Sequence, residues 1–276
     1  MENNQRYPNL KQSIFLIIYY EIISIVPYLF VLIIGSIFNL SDEHPILNGI
    51  MQIGTLGLTL LWLKRKNRLT LSKDMFYIKG ISISKFLVIT FTTLGLIICL
   101  GKVDELVLKI IPMSEEVGET FTNLFSGKVS LIGSFIGAVI IAPIVEEVLC
   151  RGIILKGFLN NYSAKSAIIF SALIWGILHL NIWQFVDAFL AGIFIGWIFL
   201  KTRSILACIW VHAVNNGFAI CNNYLILREG TLDFTTAGDQ SIYITIVGAI
   251  ILVVGAALLK KMYNQDKKDR SISMGI

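Results

Sequence analysis

The chain has 276 residues, of which 55% are apolar and only 15% charged, with a mean hydropathy of +0.76. An ordinary soluble domain carries about 25% charged residues, so this chain has too little polar surface to coat a core in water. A net charge of +5 does not call for a nucleic-acid partner, because the basic residues fall in loops where anionic lipid accounts for them.

The apolar residues come in runs long enough to cross a bilayer. In chain order the runs are 13–38, 46–63, 86–100, 131–150, 164–180, 183–200, 205–220 and 242–259. They predict an all-α, polytopic transmembrane bundle of about eight spans, forming a single domain over 1–276. The first run is too long for a signal peptide and lacks a small-residue cleavage site, so it reads as a retained anchor. The segment 64–85 is basic and reads as lying on the inner membrane surface. The segment 101–130 mixes Asp104, Glu105, Glu115, Glu116 and Glu119 with apolar residues and reads as an interfacial helix on the outer face. No internal repeat is visible, which weakens a transporter reading.

Charge sets the orientation. Of the 23 Lys and Arg, 19 fall at the termini and in alternate loops, counting Arg151 with the loop after the fourth span. The positive-inside rule then puts both termini in the cytoplasm. Cys99, Cys150, Cys208 and Cys221 lack C-x-x-C spacing and read as small packing residues. Gly192 and Gly196 form a G-x-x-x-G that permits close helix approach, read as packing within the chain rather than dimerisation.

Ionisable groups inside spans are costly and ask for a reason. They are Glu21, Glu146, Glu147, Arg151, His179, Asp187 and His212, joined by the amide of Asn216. Glu147 and Arg151 stand four apart and pair in the favourable order; Glu146 points about 100° away and is free for another partner. Trp175 and His179 share a helix face, as do His212 and Asn216. Each histidine alone reads as a bond between helices. Together, one carboxylate, two imidazoles and an amide on three spans suit water activation. A carboxylate with a histidine can take a proton from water, and a histidine with an amide can donate to an oxyanion. Glu146, His179 and His212 also permit a zinc site. Glu21 and Asp187 read as structural.

These residues form Glu146-Glu147-x-x-x-Arg151, Trp175-x-x-x-His179 and His212-x-x-x-Asn216. The set resembles the CPBP family of intramembrane proteases, also called the type II CAAX-prenyl-protease and bacteriocin-processing (Abi) family. Its motifs are E-E-x-x-x-R, F-x-x-x-H and H-x-x-x-N. The resemblance covers about 141–217 and implies a motif core at about 131–220.

The resemblance implies that Glu146 activates water with His179, that His212 and Asn216 form an oxyanion hole, and that Glu147 and Arg151 support the first helix. Trp175 stands where the family usually has Phe, a larger ring with no catalytic atom lost. The implied function is an intramembrane endopeptidase acting on a membrane-associated peptide or protein in the lipid bilayer. The alternative is a catalytically silent scaffold on the same fold. A proton or cation path through the buried acids is a third reading. Zinc and a metal-free, glutamate-dependent mechanism both stay open, since no H-E-x-x-H is present.

Helix geometry raises one conflict. Glu146 and His179 lie on the order of 22–27 Å from the turn between their helices, whereas His212 lies only about 12 Å past its own loop.

Overall fold

The computed structural model describes residues 7–40, 44–68, 81–115, 117–118, 131–228 and 240–273. Among them there is no strand, and eight long helices make a bundle. They are α1 (Leu10–Phe38), α2 (Pro45–Arg65), α3 (Ile83–Ile110), α4 (131–161), α5 (Ala164–Leu178), α6 (Ile182–Thr202), α7 (Ile205–Arg228) and α8 (Ile242–Ser273). Five of these, α1, α3, α6, α7 and α8, are long and apolar enough to cross a membrane. The chain is an integral membrane protein. Ile14, Phe15, Ile18 and Ile22 on α1, and Tyr243, Ile250 and Val253 on α8, are exposed. Such apolar outer faces suit a hydrocarbon solvent, not water.

The third apolar run is longer than its sequence suggests. α3 runs on to Ile110 and takes in the first part of the segment read as an interfacial helix. The reason is local neutralisation. Glu105, though buried, accepts from Lys102 and Lys109 at 2.7 Å and from the Gln240 backbone at 2.9 Å. Helix-spaced partners on both sides of the acid let the helix continue. The remainder of that segment from 119 on, and most of the basic 64–85 loop, lie outside the described residues.

Three antiparallel pairs position the site. α3 packs on α8 through glycines: a Cβ on Gly95 would meet the Gly248 carbonyl at 2.9 Å. α5 packs on α6 in the same way. A Cβ on Gly192 would meet the Ala172 Cβ and Trp175 Cε3 at 3.0 Å, and one on Gly196 would meet Ile168 at 3.1 Å. The G-x-x-x-G is therefore filled from within the chain.

α4 and α7 form the third pair, and their register resolves the conflict of depths. A Cβ on Gly152 would meet Ile205 at 3.0 Å, and one on Gly217 would meet Val139 at 3.7 Å. α7 thus begins level with Gly152, about 14 Å deeper than the end of α4 at Asn161. Ser204, just before it, is fully buried. Seven residues into α7, His212 is level with Glu147.

α4 is not uniform. Its 136–141 and 148–155 stretches are π-helical, a form common at functional sites. In the first stretch the Ala142 N–H reaches Gly137 instead of Ala138, and Pro143 has no N–H to offer. The Ala138 carbonyl is left for another donor, and the Asn216 Nδ2 amide supplies one at 2.8 Å.

Gly192→Leu should force α5 and α6 apart and lower stability by about 1–3 kcal/mol. Gly57→Leu, where a Cβ meets nothing within 4 Å, should have little effect. Thermal midpoints of the two variants in detergent test the contrast; equal midpoints would contradict the packing described.

Candidate active site

The three motifs arrive from three helices. Glu146, Glu147 and Arg151 lie on α4, Trp175 and His179 on and just past α5, and His212 and Asn216 on α7. Glu146, Trp175, His179, His212 and Asn216 line one cavity of about 410 Å³.

Glu147 and Arg151 are wholly buried. The Arg151 Nη1 donates to Glu147 Oε1 at 2.8 Å, and Nη2 reaches the Gly192 carbonyl at 3.4 Å. The same Glu147 Oε1 meets His212 Nδ1 at 3.0 Å. The carboxylate paired with Arg151 accepts here, so His212 Nδ1 carries the hydrogen and Nε2 is turned to other duty. A neutral His212 then presents an acceptor at Nε2, and only the imidazolium presents a donor. Glu147 therefore does more than support its own helix.

His179 caps α5. Its Nδ1 meets the Trp175 carbonyl at 2.9 Å. A carbonyl only accepts, so Nδ1–H is again the tautomer and Nε2 holds the lone pair. Glu146 is half-buried, and its Oε2 accepts from the Trp175 Nε1–H at 2.6 Å. Trp175 stands at the centre of the group. Arg151 Cζ lies 4.4 Å from its ring centroid, and the rings of His179 and His212 lie edge-on at 5.5 and 5.1 Å.

Asn216 uses one amide N–H on Ala138 and has a second available. Its oxygen is approached by Asn215 Nδ2 at 3.5 Å.

Glu146, His179 and His212 do not converge as a metal centre. Among the described residues no group of three His, Cys, Asp or Glu is placed to hold a metal ion.

Asp104 on α3 and Asp187 on α6 line the same cavity, with Gln184. The Asp187 Oδ1 is buried without a hydrogen bond. Asp187, read from the sequence as structural, lies at the cavity beside the motif residues. Its signal was visible, as an acid inside a span, but nothing in the spacing joined α3 and α6 to the motifs. Glu21 is exposed on α1, where its backbone carbonyl accepts from Ser24.

Residues 128–218 match a family model, Type II CAAX prenyl endopeptidase Rce1-like. The match contains all three motifs and is consistent with the CPBP resemblance they carry. No curated protein and no solved structure matches the chain.

Arg151→Leu leaves the Glu147 carboxylate buried without its cation and should cost about 3–5 kcal/mol. The Glu147→Leu/Arg151→Leu double variant should lose less. Thermal midpoints measure both; a double variant worse than the single would argue against a desolvated ion pair.

Proposed function

From the family match over the motif-bearing segment, we propose that this chain is an intramembrane endopeptidase using water activated by Glu146 and His179. The observation that carries the reading is the meeting of Glu146, His179, His212 and Asn216 at one cavity. Both termini are assigned to the cytoplasm, with the chain crossing the bilayer several times, because most Lys and Arg fall in the loops of one side.

In this mechanism the scissile carbonyl lies between the Glu146 side and the α7 side of the cavity. Glu146 Oε1 and His179 Nε2 take a proton from water, whose oxygen bonds to the carbonyl carbon. The oxyanion meets the second N–H of Asn216 and the Nε2–H of a protonated His212, whose Nδ1–H stays on Glu147 and whose charge is met by the oxyanion itself. The C–N bond then breaks, and the leaving nitrogen receives the proton held by the Glu146–His179 pair. No step passes through a metal. The substrate is a membrane-associated peptide or protein. Prenylated peptides are named by the matched family.

Glu146→Ala should abolish a set of peptide cleavages while the protein still accumulates. Comparing peptide termini in membranes carrying wild type and variant at matched expression is the test; identical profiles would sink the reading. In the same membranes a zinc chelator should leave those cleavages unchanged. Loss on chelation, restored by added zinc, would replace the metal-free mechanism.

A further inference from the structure

The motif residue that departs from the family pattern is also the one that touches the proposed base. A phenylalanine at 175 would keep the ring and the backbone carbonyl that orients His179. It would lose the indole N–H, which donates to Glu146 Oε2 at 2.6 Å. A charge-assisted bond of that length is among the stronger ones available to a side chain. The indole is itself held from several sides. Arg151 lies over its ring face at 4.4 Å, drawing electron density from the ring and making the N–H a better donor. Gly192 of α6 leaves room for the ring edge, since a Cβ there would meet Trp175 Cε3 at 3.0 Å. Trp175 is buried and cannot swing away without displacing these neighbours.

We propose that Trp175 is a positioning residue whose indole N–H pins Glu146 Oε2 and so leaves Oε1 as the oxygen that activates water. This rests on the protease reading above. The side chain orients Glu146 and the main chain of the same residue orients His179, so both members of the water-activating pair take their aim from one position. A carboxylate without the pin rotates about its last bond and meets water in either of two orientations, and small errors of position are costly in catalysis.

The first measurement is the indole N–H-sensitive resonance Raman band of the purified full chain in detergent. Glu146→Ala should shift one indole to a weaker hydrogen bond. Trp183 and Trp210 donate elsewhere, to the Ile111 carbonyl and to Thr90 Oγ1 at 2.8 Å, and should not respond. Absence of a shift overturns the proposal whether or not the chain is a protease.

The second measurement replaces Trp175 with 3-benzothienylalanine, which has the shape of tryptophan with sulfur in place of N–H. The rate at which Glu146-dependent termini appear in isolated membranes should fall about tenfold to hundredfold, the range expected for a hydrogen bond to a charged group. The thermal midpoint should barely move. Trp175→Phe should slow cleavage similarly. A benzothienyl variant cleaving at the wild-type rate overturns the positioning role and leaves the protease reading standing. Identical termini in wild type and Glu146→Ala sink the protease reading and this role with it. The Raman shift would still be present in that case, which separates that failure from the absence of the bond.

Discussion

One carboxylate oxygen organises this bundle. Glu147 Oε1 accepts from Arg151 on its own helix and from His212 on α7. Arg151 in turn reaches the Gly192 carbonyl on α6 and lies over the Trp175 ring on α5. Four helices therefore meet at a buried charge that cannot lose a partner cheaply. In an apolar solvent there is little hydrophobic force between helices, so packing and polar contacts of this kind set their arrangement.

The ion pair and the π-helical stretches act together. A regular α4 would satisfy its own Ala138 carbonyl. The shift to i→i+5 bonding before Pro143 releases that carbonyl, and Asn216 answers it. Glu147 with His212, and Ala138 with Asn216, then lie in sequence along one antiparallel seam. Two contacts one helical turn apart on α7 hold its register, and with it the aim of His212.

Stability and the proposed chemistry draw on the same side chains. Glu147 is buried to hold helices and also sets the tautomer of His212. Asn216 spends one N–H on the Ala138 carbonyl and, in the proposed mechanism, offers the other to the oxyanion. Trp175 fills the space left by Gly192 and also donates to Glu146. A site inside a bilayer has few polar groups at hand, and several of these serve both purposes.

The sequence by itself determined the all-helical membrane class, the eight apolar runs and the three motifs. These depend on composition and on spacing along one helix, where residues four apart share a face whatever surrounds them. The Glu147–Arg151 pair was legible for that reason. The spacing of Lys102 and Lys109 around Glu105 that lets α3 continue was in the sequence, and only the tertiary structure added the Gln240 backbone, 135 residues away, as the third partner. It also decided the depth of His212, since α7 begins beside Gly152 and not at the level of Asn161. The bond from Trp175 to Glu146 was not legible either, nor was the place of Asp104 and Asp187 in the cavity. Contacts between helices depend on register and rotation, and a single chain's periodicity carries neither.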